Sequence, residues 1–453
     1  MKSLRNSQLA GVLMAASAVM LFLGAAPLAL AKIATSVNCK LELDRGILIA
    51  GESQRAVLKI TLDAPKSEKH AERPAVNLCV VLDRSGSMSN ANKLEKAKDA
   101  AIEALHRLGP KDMFSLVIYD HNVETIVPAQ SAANTEWIES RIREIRPGGS
   151  TALFAGVSQG AAEVRKHTEG KYVSRIILLS DGLANVGPSS PSDLGRLGAG
   201  FMKEGIAVTT VGVGTDYNED LMARLSQESD GNTYFVKESS DLARIFNEEL
   251  GDVLSVVAKK VKLIIECPDD VRPVSIIGRE GRIRGRTVEL SLNQIYGGQE
   301  KFVLVEVEVS GAKDGDRKEI AVARVSYENP FTSKEESSSG RLESRFSRNR
   351  DEVDHSMNAS VDKAYRLNIN AEVQAKVISL ADEGKTKEAA GALKKSAAEL
   401  YSTGRKYKDE ELMKKADEMK EQAEKLEKDG MTSGSRKSFR SDSYQIFNQQ
   451  RAR

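Results

Sequence analysis

The sequence predicts an α/β domain with a doubly wound, mostly parallel sheet, inserted in a β-sandwich and followed by a C-terminal α-helical segment. Three observations carry this. Continuous apolar runs alternate with helix-spaced stretches over residues 74–256. Period-two strands flank that block on both sides, at 32–66 and 257–327. Helical spacing returns from 353 to 429. A chain of 453 residues exceeds one ordinary core, so several domains are expected.

Residues 1–31 read as a secretory signal: Lys2 and Arg5 precede an apolar stretch from Leu9 to Leu23, then Pro27 and a small-x-small site at Ala29-Leu30-Ala31. The alternative is a retained anchor, since the apolar run is long enough to span. Cleavage would leave an exported chain without stable membrane insertion. In 32–73, Val37, Cys39, Leu41 and Leu43 alternate with polar neighbours, as do Leu58, Ile60 and Leu62, and 67–73 form a polar link.

Within 74–256, the run 76–82 is apolar throughout and suits a strand buried on both faces. Leu94, Ala97, Ala101 and Leu105 define a helix over 93–108. Strands at 114–119 and 123–127 flank Asp120-His121-Asn122, a turn that suits a hairpin and an antiparallel edge. Helices follow at 135–145 and 152–165, then a strand at 175–179, a helix at 194–203, a strand at 206–213, a helix at 218–227, a strand at 233–236 and a helix from 241.

Residues 257–329 return to strands: Val261, Leu263, Ile265 and Cys267 share a face, as do Val303, Val305, Val307 and Val309. The Ser-, Glu- and Arg-rich 330–352 read as a mobile linker. The segment 353–429 reads as a helical hairpin, with turns at Gly384 and Gly404. Residues 430–453 read as a disordered basic tail. Cys79 reads as a core residue, whereas Cys39 and Cys267 are compatible with either a bridge or two packed thiols.

Oxygen donors gather at three strand-to-loop junctions: Asp83, Ser85 and Ser87 in CVVLDRSGSM, Thr151 in GGSTAL, and Asp181 in IILLSDG. Hard oxygen donors suit Mg²⁺, Mn²⁺ or Ca²⁺ rather than zinc or copper. In open α/β sheets, ligands bind beyond the carboxyl ends of strands. The helix face bearing Lys93, Glu95 and Lys96 reads as solvated. Arg84 reads as a surface-pairing residue, and Asp216, Asn218, Glu219 and Asp220 as an acidic helix start.

These segments resemble the von Willebrand factor type A domain and its metal-ion-dependent adhesion site, over roughly 74–256. The resemblance implies that Ser85, Ser87 and Thr151 bind a divalent cation directly, with Asp83 and Asp181 acting through water or switching shells. It also implies that a partner's carboxylate completes the coordination. The expected function is therefore an exported, metal-dependent protein-binding module of the bacterial secreted type, in adhesion or envelope assembly. It would capture a protein ligand with an exposed Asp or Glu, in the periplasm, at the cell surface or outside the cell. Competing readings are an envelope scaffold with a stabilising metal and a regulatory subunit of an enzyme or transport complex.

Other classes find little support. Charge is balanced, with 66 basic and 65 acidic residues, and aromatics are 5%, so no nucleic-acid footprint is present. No GxGxxG follows a first strand, and no GxxxxGK[ST] occurs. Ser85 and Ser180 lack a base-and-orienter pattern, so no catalytic residue is assigned and the chain is not expected to be an enzyme.

Overall fold

The computed structural model describes residues 37–64, 73–167 and 171–452. The signal-like 1–31 and most of the polar link at 67–73 lie outside them. Three strands come first: β1 (Asn38–Leu43), β2 (Ile47–Ile49) and β3 (Gln54–Asp63). The α/β block follows as β4 (Ala75–Asp83), α1 (Lys93–His106), β5 (Met113–Tyr119), β6 (Val123–Ser131), α2 (Thr135–Arg143) and α3 (Leu153–Arg165). It continues with β7 (Tyr172–Ser180), α4 (Pro191–Glu204), β8 (Ile206–Val213), α5 (Glu219–Glu228), β9 (Thr233–Val236) and α6 (Leu242–Val253).

Its sheet runs β6-β5-β4-β7-β8-β9, with only β6 antiparallel. β4 is central because its pleat feeds two cores. Val76, Leu78, Val80 and Leu82 meet α1, α2 and α6. Cys79 and Val81 meet α3, α4 and α5. A strand covered on both faces has to be apolar at every step, which is why this run shows no alternation.

The second β block comprises β10 (Val256–Glu266), β11 (Val271–Ile277), β12 (Arg282–Arg284), β13 (Thr287–Tyr296), β14 (Gln299–Val309), β15 (Arg317–Glu328) and β16 (Glu335–Ser347). β3 pairs antiparallel with β14, from Gln54↔Val309 to Asp63↔Glu300. Strands on either side of the α/β block therefore share one sheet, and the block is inserted in the sandwich. The facing sheet runs β12-β13-β10-β15-β16-β2. Helices α7 (Arg350–His355), α8 (Ala359–Asp382), α9 (Thr386–Tyr407), α10 (Glu410–Asp429) and α11 (Ser433–Phe447) follow, with a last short strand β17 (Gln450–Ala452) on β14.

Three expectations need correction, and the alternative left open for Cys39 and Cys267 is settled. The supposed linker at 330–352 contains β16, which pairs with β15 from Glu335↔Glu328 to Arg345↔Arg317. Its polar composition hid it because β1 lies close above. A Cβ on Gly340 would sit 2.4 Å from the Cys39 carbonyl oxygen, so that position is held to glycine. The supposed disordered tail at 430–453 contains α11 and β17. Arg436 pairs with Glu219, with Asp220 at 2.9 Å and with Asp382 at 3.0 Å, and Lys437 Nζ donates to Glu219 at 2.6 Å. The hairpin at 353–429 is three long helices, and Gly404 is no turn. It lies inside α9, where a Cβ would meet Met413 at 2.8 Å, while Gly384 takes the expected turn with φ +76°. Cys39, Cys79 and Cys267 are all free thiols, so the Cys39–Cys267 bridge is not formed. Among the described residues, no helix is long and apolar enough to cross a membrane.

Two buried ionic groups join the inserted block to the sandwich. Arg175 on β7 is fully buried and reaches Glu249 at 3.4 Å, Gln294 at 2.7 Å and the Tyr296 hydroxyl at 2.5 Å. Asp230, just after α5, pairs with Lys301 at 2.5 Å and Arg279 at 3.0 Å and accepts from the Asn293 backbone at 2.7 Å. Burial alone would raise the Asp230 carboxyl, but these partners outweigh it and hold it down at about 2.

A carboxylate lowered by folding stabilises above its unfolded pKa, and that contribution fades as pH falls toward the folded value. Asp230→Asn is therefore expected to cost about 2 kcal/mol or more at pH 7, with the difference from wild type shrinking between about pH 4 and pH 2. Urea denaturation across this range checks it; a pH-independent difference would contradict it.

Candidate metal centre

The carboxyl ends of β4, β5 and β7 coincide, because Asp83 stands opposite Tyr119 and Leu82 opposite Leu179. Asp83 ends β4, fully buried. One of its oxygens accepts the Ser85 backbone N–H at 2.8 Å, folding the chain back so that Ser85 returns to the sheet edge. The other accepts the Ser180 hydroxyl at 2.7 Å. A 3₁₀ turn over Gly86–Asn92 then carries Ser87 inward. The Ser85 and Ser87 hydroxyls are 3.1 Å apart, and Ser87 donates to Asp181 at 2.7 Å.

Thr151 enters from the loop between α2 and α3. That loop is stitched to the first by Gly148 N–H to the Arg84 carbonyl at 2.6 Å and Gly86 N–H to the Gly149 carbonyl at 3.1 Å. The Thr151 backbone N–H donates to the Asn185 side chain at 2.9 Å. The two glycines allow this approach: a Cβ would fall 1.9 Å from the Asp120 carboxylate at Gly148 and 2.3 Å from His121 Nδ1 at Gly149.

Whether these residues fit a cation can be tested at Gly182, which follows Asp181. A Cβ there would lie 2.9 Å from Thr151 Oγ1, 3.6 Å from Ser85 Oγ and 3.7 Å from an Asp83 oxygen. Oxygens from two separate loops, one carrying Asp83 and Ser85 and the other Thr151, thus face one small cradle that only glycine keeps open, and the donor set is wholly oxygen. The residues fit a hard divalent ion. Among the described residues, no group of three or more His, Cys, Asp or Glu side chains is arranged to hold a metal. A cation would therefore rely on hydroxyls and two carboxylates.

All five residues singled out from the sequence meet here. Burial above all, with repulsion from Asp181, pushes the Asp83 carboxyl up to about 6, against the hydrogen bonds from Ser180 and Ser85. Arg84 pairs with Asp120 at 3.2 Å. Asn218 caps α5 by accepting from Asp220 and Leu221 N–H groups at 3.1 and 3.2 Å, and Glu219 and Asp220 take up α11.

Four participants escaped the sequence reading: Lys93, Asp120, Ser180 and Asn185. Lys93 corrects an expectation directly. Its side chain is 13% exposed rather than solvated, and Nζ lies 2.7 Å from Asp181. Ser180 and Asp120 had an available signal: Ser180 ends β7 beside Asp181, and Asp120 directly follows the apolar strand β5. Lys93 and Asn185 had none, because loop conformation alone brings them in.

The fold and this site define the class. Residues 77–248 match the family model of the von Willebrand factor type A domain, and the chain carries such a domain, a type of protein-interaction module. Similar in sequence are the uncharacterized protein sll0103 of Synechocystis, 27% identical over 64% of this chain and 69% of that one, and the uncharacterized protein YfbK of Escherichia coli, 30% identical over 47% and 37%. Inter-alpha-trypsin inhibitor heavy chain H3 of Rattus norvegicus is 24% identical over 48% of this chain and 26% of its own length. The chain thus spans well under half of the last two. Solved structures that share the fold include two that align over most of this chain. The von Willebrand factor type A protein from Catenulispora acidiphila is 16% identical, with TM-score 0.66 over 83% of this chain and 89% of that one. The ArnB paralog VWA2 from Sulfolobus acidocaldarius is also 16% identical, with TM-score 0.60 over 90% and 98%.

A carboxyl raised by folding loses stability as pH climbs through its folded value. Asp83→Asn is therefore expected to stabilise the cation-free protein at pH 7.5 by up to about 3 kcal/mol, with the gain gone near about pH 4. Thermal melting in EDTA checks this; no gain at pH 7.5 would contradict it.

Proposed function

We propose that this chain is an exported, metal-dependent protein-binding module in adhesion or envelope assembly. It captures an Asp or Glu of a partner protein through a divalent cation, Mg²⁺ first and Mn²⁺ or Ca²⁺ next. The observation that carries the reading is the oxygen-lined cradle beside Gly182, built by Ser85, Thr151 and Asp83 at the open edge of the sheet. Export rests on the signal-like N-terminus, with its Lys2, Arg5 and Ala29-Leu30-Ala31.

When bound, the cation supplies an oxygen-seeking coordination position that a carboxylate fills readily. The protein's own groups prepare for it. Ser85, Ser87 and Thr151 offer neutral hydroxyl oxygens, so they do not cancel the ion's charge. Asp83 and Asp181 each already accept two hydrogen bonds from the protein, which suits them to outer positions. The reading assigns no turnover: the serine hydroxyls are bonded to each other and to carboxylates rather than to a histidine base.

Immobilised full-length protein should retain a partner from envelope extract in Mg²⁺ and release it in EDTA. Thr151→Ala should weaken Mg²⁺ binding about 10- to 100-fold, measured by calorimetry, with little change in cation-free melting temperature. Retention undiminished in EDTA would contradict the reading and point instead to the surface of α8–α11.

A further inference from the structure

We propose that Lys93 sets the charge of this site, making the loaded centre cationic so that it selects a carboxylate over a neutral ligand. The inference rests on the cation-binding reading above and concerns which ligand the site accepts.

The placement of Lys93 runs against ordinary preferences. It is the first residue of α1, where the helix dipole disfavours a cation. It is also largely buried, which costs an ammonium its hydration. Two non-glycine residues before it, Ala91 at φ +49° and Asn92 at φ +55°, take the left-handed conformation that swings the chain into α1. Gly214, at φ +74° after β8, completes the slot: a Cβ there would sit 3.2 Å from Nζ. These features together deliver one ammonium to the Asp181 oxygen not taken by Ser87.

Charge counting shows what that does. Two carboxylates and a divalent cation cancel. With Lys93 the loaded centre carries a net +1, which an incoming carboxylate neutralises and a neutral amide or hydroxyl does not. The same charge works against the cation itself. Lys93 therefore weakens metal binding while favouring an anionic ligand. A purely structural ion pair would act in the opposite sense, since its loss would loosen Asp181 and weaken metal binding.

The test uses full-length protein and Mn²⁺ followed by electron paramagnetic resonance, with acetate and acetamide as ligand probes. Lys93→Gln is expected to bind Mn²⁺ at least about tenfold tighter, since a unit charge close to the ion has been removed. It should also lose the wild-type preference for acetate over acetamide. Lys93→Met, which keeps the aliphatic stem without the charge, should behave like Gln, and Lys93→Arg like wild type. Melting in EDTA shows that each variant is folded. Equal or weaker Mn²⁺ binding by both neutral variants would overturn the proposal, as would an arginine variant that behaves like them. A wild type that binds no Mn²⁺ would remove the cation-binding reading and this proposal with it. A wild type that binds Mn²⁺ but does not distinguish the probes would overturn the selectivity claim alone.

Discussion

Two carboxylates meeting at one dry sheet edge are the constraint to which the rest of the candidate site responds. Parallel, in-register pairing of β4 with β7 brings Asp83, the last residue of β4, and Asp181, the residue after β7, together, both fully buried. Repulsion and desolvation make that arrangement costly, as the raised Asp83 carboxyl shows. Each neighbouring feature offsets part of the cost: the Ser180 and Ser87 hydroxyls, the Ser85 backbone N–H and the Lys93 ammonium. A divalent cation would offset more. A protein that retains such a destabilising pair in a loop-built cradle fits the pattern of sites that trade stability for binding.

The surrounding architecture holds this edge in place. The α/β block is fastened to the sandwich through Arg175 and Asp230, both buried and both multiply paired. Breaking such pairs is far more costly than never having made them, so they specify one docking of the two domains. From the other side, α11 brings Arg436, Lys437 and Arg440 onto Glu219 and Asp220 at the start of α5. That loop borders the ligand-facing edge of the sheet, so the helical segment contributes to the frame around the cradle rather than trailing from it.

Much of this was legible in the sequence for local reasons. The run NLCVVLD reads as a central strand because every residue is buried, and the five donors stand in short motifs whose glycines announce tight loops. What was missed depended on distant partners or on unusual backbone. β16 reads as a polar linker because its first two-thirds is Ser-, Glu- and Arg-rich, with Gly340 held to glycine by β1 some three hundred residues earlier. α11 reads as a solvated basic tail because Glu219 and Asp220, which take up Arg436, Lys437 and Arg440, lie more than two hundred positions away. Lys93 reads as a surface lysine because only the left-handed turn at Ala91 and Asn92 redirects it.

On the proposed reading, the hydroxyls of Ser85 and Ser87, together with Thr151 and the two acids, form one cation site. Isothermal titration of the full chain with Mn²⁺, beside the Ser85→Ala/Ser87→Ala double variant, tests it most directly. Saturable binding near one equivalent is expected in the wild type, and its loss in the variant. Equal binding by both proteins would contradict that reading.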